Sequence, residues 1–440
     1  MQQKNSQNLL QIQDLQIELK KAWANTPTEM KSRLMPMILA AHQNLLNISR
    51  GIATPNKEKI PYEFGMVYSL LEKDPDGLIK TYAQCNTGYP CPYPPSVGSD
   101  GSCWWTGVMF DFTDVLWAYA LLAYLQTQNN KFPFNTNGQT IQIGDNTTLA
   151  ILGDWGAGNN AAIEVSNQVV NSAPPNQSYY IHLGDVYYAG TNQDISKLLL
   201  PFESFNFLKH WPGVSGRSFA LNSNHDMYAS GSGYFGNTLA SPIFSAQSSA
   251  SYFSLQNNNF VIVGLDTAYY SEDTWYMSGS LTDQDQKDFL SNNLRDAAQM
   301  NATVILLTHH NGLSLDGQHQ EDLWAQVASV IKNYSINNLN IYWYWGHEHA
   351  AAVYKPQTMN GNNIFPRVCG HGSIPWGVAT DLSTNNPGSQ VQWAETATNG
   401  PGQNYFVTNG YATLKLNGAS IVETFYDQQG NVSWSSQNSA

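Results

Sequence analysis

The chain has 440 residues, of which 42% are hydrophobic, 12% aromatic and only 12% charged, with a formal net charge of −13. That length buries one large core plus a second unit, and Asn, Gln, Ser and Gly carry most of the polarity. No Lys or Arg cluster occurs, which excludes the dense basic face that nucleic acid or an anionic membrane requires; a small anionic substrate remains compatible, because bound cations would reverse the local field.

Apolar residues at three- and four-residue spacing predict helices over Leu9 to Trp23 and Met30 to Ile48, separated at Pro27. Cys85, Cys91 and Cys103 follow in a Pro/Gly/Ser-rich loop, far from Cys369. They are not C-x-x-C pairs, and one disulfide among the first three and two free thiols fit about equally well. Phe112 to Gln128 reads as a third helix, with Asp111 or Thr113 as its cap. It is apolar nearly all round, so it should lie buried between layers. Its most apolar part, Val115 to Leu125, is too short to span a bilayer. Met1 to Lys20 lacks the apolar run of a secretory leader, which favours the cytoplasm; a leader already removed would leave a secreted or periplasmic location open. Residues 1–130 are therefore read as a helical domain of unknown role and 131–147 as an Asn-rich linker, with one strand at Thr140 to Ile143.

From residue 148 to 440 strand and helix alternate. Strands are expected at Thr148 to Leu152, Tyr179 to Leu183, Phe260 to Leu265, Thr303 to Leu307 and Asn340 to Trp345. Helices are expected at Asn160 to Ser172, Asp283 to Gln299 and Asp322 to Asn333, and short strands with Asn417-Gly418 and Gln429-Gly430 turns over Gly410 to Trp434. The rhythm predicts an α/β sandwich flanked by helices. Five polar clusters close these apolar runs: G-D-W-G (Gly153 to Gly156), G-D-V-Y-Y (Gly184 to Tyr188), N-H-D (Asn224 to Asp226), L-L-T-H-H (Leu306 to His310) and G-H-E-H (Gly346 to His349). Each cluster alone is an ordinary turn. Together, at strand carboxyl ends where open sheets hold ligands, they supply carboxylates, an amide, imidazoles and a phenol, more than one cation needs. Such donors suit hard-to-borderline metals, and two ions a few ångströms apart can hold a phosphoryl group and activate water.

The order and content of these clusters resemble the calcineurin-like metallophosphoesterases, and specifically the purple acid phosphatase branch. The wider superfamily has a metal-binding histidine where this chain has Gly156, and the branch instead places a tyrosine three residues after the second aspartate, here Tyr188. The resemblance covers about residues 146–430. It implies one site of Asp154, Asp185, Tyr188 and His349 holding Fe(III), whose hardness suits a phenolate. It implies a second site of Asp185, Asn224, His309 and His347 holding a divalent Fe, Zn or Mn, with Asp185 bridging. Tyr187 rivals Tyr188, and His310 rivals His309. The implied reaction is acid phosphatase-type hydrolysis of a small phosphorylated substrate by metal-activated hydroxide, without a phosphoenzyme. His225 would steady the phosphoryl oxygens or protonate the leaving alkoxide. His319 is a second catalytic candidate, His371 a weaker one, and Asp226 a supporting residue.

Two departures stand out: Ser223 replaces the usual glycine before Asn224, and the β-sandwich domain of plant members is not evident. Two alternatives compete with a phosphomonoesterase. One is a phosphodiesterase or nucleotide hydrolase on the same site, decided by the loop Met227 to Tyr252. The other is an interaction protein working through residues 1–130, which are also expected to pack on the catalytic part.

Overall fold

The computed structural model describes residues 2–49, 62–72, 114–192, 204–374, 382, 388–397 and 407–437. Cys85, Cys91, Cys103, Asp111 and Thr113 lie outside the described residues. The chain opens with helices α1 (Gln2–Asn25) and α2 (Thr28–Ser49), then a single 3-10 turn over Tyr62–Phe64 and α3 (Val67–Glu72). The third expected helix starts later than its pattern suggested, as a 3-10 turn over Val115–Trp117 running into α4 (Ala118–Thr127). Its cap is Asp114, whose carboxylate accepts the Leu116 N–H at 2.9 Å. Every residue from Ala118 to Tyr124 is buried, as its all-round apolar face requires.

Beyond these helices lies an α/β sandwich. One sheet contains β1 (Gln139–Gln142), the other β2 (Asn146–Leu152), β3 (Ser178–His182) and β4 (Ser218–Ala220). Between β2 and β3 runs helix α5 (Asn160–Ser172), capped by Asn159. The first sheet continues through β5 (Phe253–Gln256), β6 (Phe260–Gly264), β7 (Thr303–Thr308), β8 (Asn340–Trp345), β9 (Ala351–Tyr354), β10 (Gln357–Met359), β11 (Asn362–Cys369) and β12 (Val391–Ala394). The second closes with β13 (Gly410–Asn417), β14 (Ser420–Asp427) and β15 (Val432–Ser435). Their orders are β1-β5-β6-β7-β8-β11-β9-β12, with β10 on β11, and β15-β14-β13-β2-β3-β4. The β6–β7–β8 and β2–β3–β4 runs are parallel.

The period-two alternation of strands decides which side chain enters which layer. On β7, Ile305 and Leu307 join Leu149 and Ile151 of β2 and Ile181 of β3 between the sheets. Val304 and Leu306 turn outward onto the helices Gln284–Met300 and Asp322–Asn333, against Leu290, Leu294, Val327 and Ile331. On β2, Ala150 and Leu152 face outward onto Val165 and Val169 of α5. Strands covered on both faces read as unbroken apolar runs, which is why β6, β7 and β3 were legible in the sequence. A further cluster joins the N-terminal helices to the sandwich: Leu19, Leu34, Ile38, Phe64, Trp117 and Leu121 pack with Tyr187, Tyr188, Tyr228 and Trp275. That cluster sits on the edge where the polar motifs emerge.

Candidate metal centre

Each motif leaves a strand at its carboxyl end. Asp154 follows β2, Asp185 follows β3 and Asn224 follows β4 on one sheet; His309 follows β7 and His347 follows β8 on the other. Asp154, Asp185 and His347 have φ of 54°, 74° and 65°. These are left-handed backbone positions that Asp and His tolerate better than most residues but that still cost energy, a signature of function-bearing turns. At Gly156 an added Cβ would lie 2.3 Å from the Asp185 carbonyl oxygen and 2.7 Å from Val186 Cα. The position that carries a histidine ligand elsewhere therefore has no room for any side chain here. Ser223, at φ −137°, needs no glycine; its hydroxyl oxygen accepts the Asp226 N–H and caps the short helix Asn224–Met227.

The side chains converge as two adjoining groups. Ligand atoms of Asp154, Asp185 and His349 lie within 4.8 Å of one another, and so do those of His309, His310 and His347. His309 Nδ1 sits 2.9 Å from the Leu183 carbonyl, so it carries the proton and donates it. Its Nε2 lone pair then faces Asn224 Oδ1 at 2.8 Å and Asp185 Oδ1 at 3.2 Å. Three electron-rich atoms turned toward one point are the arrangement of a cation site, with the second nitrogen fixed by a carbonyl. Asp154 and Asp185 are fully buried. Carboxylate, amide and imidazole donors gathered this closely suit hard-to-borderline cations, so this donor set fits metal ions. His310 is held differently, with Nδ1 2.8 Å from Thr267 Oγ1 and Nε2 2.7 Å from the Tyr276 carbonyl. His347 adds its backbone N–H to Asp154 Oδ2 at 2.8 Å.

The two tyrosines point opposite ways. Tyr188 turns out of the cluster and donates its hydroxyl to Asp114 Oδ2 at 2.6 Å, against the N-terminal helices. Tyr187 turns in: its hydroxyl lies 2.7 Å from Asp185 Oδ2, 3.1 Å from Asp154 Oδ1 and 2.8 Å from His349 Nε2. Burial first, then the charges of Asp154 and Asp185, push the Tyr187 phenol well above its ordinary range. It therefore donates to those carboxylates. The resemblance implied Tyr188 with Tyr187 as its rival, and in a loop nothing periodic says which of two adjacent aromatics faces inward.

His225 is fully buried beside this cluster. Its Nδ1 donates to the Tyr188 carbonyl at 2.7 Å, which aims Nε2 toward Asp185 Oδ2, 3.9 Å away, and toward Glu63 Oε1, 3.4 Å away. Burial pulls its pKa down, but Asp185 and Glu63 outweigh that and hold it above the ordinary histidine value. His319 is exposed on a turn closed by Ser314 and is not among the residues brought together. His371 is buried beneath the Phe425 ring, where desolvation depresses its pKa to about 3, as a core histidine. Asp226 accepts the Ser223 hydroxyl at 2.6 Å and supports the turn. Glu63, Asp114 and Trp117 escaped the sequence reading. Only the oddity of isolated acids among aromatics in a chain so poor in charge marked the first two.

The chain is an α/β sandwich with Asp, Asn and His side chains gathered at its strand exits. No family model and no curated protein matches the chain. Solved structures similar to it include GAP50, the anchor in the inner membrane complex of Plasmodium, at 14% identity over 66% of this chain and 87% of that one, with a TM-score of 0.43. A dimetal phosphatase from Danio rerio is 12% identical over 64% and 96%, TM-score 0.40. The purple acid phosphatase PPD1 from yellow lupin seeds is 14% identical over 69% of this chain and 54% of its own length, TM-score 0.38. No described helix is long and apolar enough to cross a membrane.

Proposed function

We propose that the chain is an acid phosphatase-type phosphomonoesterase with a dinuclear centre. The observation that carries this reading is the convergence of Asp154, Asp185, Tyr187, Asn224, His309, His347 and His349 at the exits of both sheets. Asp154, Tyr187 and His349 would hold one ion, and Asn224, His309 and His347 the other. Asp185 would bridge them, a reading supported by its Oδ2 lying toward Tyr187 and its Oδ1 toward His309. A phenolate with two carboxylates favours Fe(III) at the first position, and an amide with imidazoles suits a divalent Fe, Zn or Mn at the second. When bound, the pair would polarise the phosphoryl oxygens and lower the pKa of water to near neutral.

The protein's own contribution is positioning and proton control. His225, locked by the Tyr188 carbonyl, presents Nε2 to the space beside Asp185, where it can contact a phosphoryl oxygen or deliver a proton to the departing alkoxide. Leu183 fixes the His309 tautomer, and the burial of the whole cluster excludes bulk water from competing hydrogen bonds. Assay of a simple aryl phosphomonoester beside the matching diester, on protein with its native metals, tests this reading. Monoester turnover well above diester and best at acid pH is expected. Diester preference would change the substrate class, and no turnover of either with both metals bound would overturn the enzyme reading.

A further inference from the structure

The N-terminal helices do more than cover the sandwich: they place a carboxylate in the site. Glu63 stands on the 3-10 turn Tyr62–Phe64, which packs on α4 and α2 and is anchored by Phe64 against the Trp275 ring at 4.4 Å. Its side chain is 1% exposed. Oε1 lies 3.4 Å from His225 Nε2, and Oε2 has no hydrogen-bond partner among the described residues. No described Lys or Arg pairs with it. A buried carboxylate with one oxygen on an imidazole and the other unsatisfied is expensive for folding alone. Because the Tyr188 carbonyl fixes the other ring nitrogen, whatever lies on His225 Nε2 lies at the margin of the Asp185 cluster. That is also where an anionic phosphoryl oxygen would be received.

We propose that Glu63 is a specificity-determining residue that occupies the anion subsite on His225 Nε2, so that the N-terminal segment sets how tightly phosphate and phosphoesters bind. The proposal rests on the phosphoesterase reading above. An entering phosphoryl group displaces the Glu63 carboxylate from His225, and the turn at 62–64 moves with it. Two negative groups facing one buried imidazole nitrogen repel each other strongly, so they do not occupy that space together. The segment is thus an internal competitor for the substrate's charged head. It discriminates most strongly against the more highly charged ligands, dianionic phosphate and monoesters, and less against singly charged diesters.

The test uses the full chain loaded with its metals and inorganic phosphate as the probe. Glu63→Gln and Glu63→Ala are each expected to bind phosphate at least about tenfold more tightly than the unmodified chain. KM for an aryl monoester should fall in parallel, with a smaller gain for the diester. Equal or weaker phosphate binding in the variants, at unchanged metal content, would overturn the proposal. A second measurement needs no variant: saturating phosphate should speed amide exchange at residues 62–72 of the unmodified chain, and unchanged exchange there would equally overturn it. If the unmodified, metal-loaded chain and both variants bind no phosphate at all, the phosphoesterase reading itself falls. Phosphate binding that is blind to position 63 leaves that reading standing and removes only this one.

Discussion

At the residue scale the centre is decided by which way single side chains turn. The motif spacing singled out Tyr188, yet its hydroxyl is committed to Asp114 and that of Tyr187 to Asp154, Asp185 and His349. The other proposed donors are marked in the sequence by residue type, as Asp, Asn and His recurring after apolar runs. Direction within a loop is not so marked. Protein loaded with Fe(III) should show a visible phenolate charge-transfer band that Tyr187→Phe abolishes and Tyr188→Phe retains. The opposite pattern in absorption spectra would return the phenolate to Tyr188.

At the element scale, strands covered on both faces and helices with strong periodicity stood out. The helices Asn160–Ser172 and Asp322–Asn333 and the strand Asn340–Trp345 match their expected limits. Short pieces such as Ser218–Ala220, Ala351–Tyr354 and Gln357–Met359 did not, since three or four residues carry too little alternation to register. The start of α4 was also misjudged. Asp114 both accepts the Leu116 N–H and receives the Tyr188 hydroxyl, so its role depends on a residue far away in sequence. Removing it loses a helix cap and leaves a buried hydroxyl unsatisfied. Asp114→Ala should therefore cost about 2–4 kcal/mol. Chemical denaturation would read this, and a loss below about 0.5 kcal/mol, the usual size for surface changes, would show that the contact does not form.

At the scale of the whole molecule, the sandwich and the N-terminal helices share one apolar cluster, and through Trp117, Glu63 and Asp114 the helices wall in the edge where the donor side chains gather. The all-round apolar character of Phe112 to Gln128 made that packing expected, but not which residues it brings to the edge, because contacts between distant segments leave no local period. The interior also sets an acid limit. His182 is buried against Trp155, Phe207 and Trp211. Burial depresses the pKa of both His182 and His371 to about 3, from an ordinary histidine value of 6.5. Between those values the unfolded chain binds protons that the folded chain refuses. Stability is then complete above pH 6.5 and falls as pH drops toward 3, with a slope of up to about 1.4 kcal/mol per pH unit for each histidine. His182→Leu should remove one such proton from the pH dependence of unfolding; an unaltered slope would mean that His182 already accepts a proton when folded.

The measurement that reaches furthest into the account is metal content per chain, for the unmodified protein and for Asp185→Asn. With Asp185 facing Tyr187 through one oxygen and His309 through the other, elemental analysis should find two ions per unmodified chain, including iron. Asp185→Asn should lose both while keeping its fold. A chain that holds no metal, or a variant that retains two ions, would contradict the dinuclear centre on which the phosphoesterase reading stands.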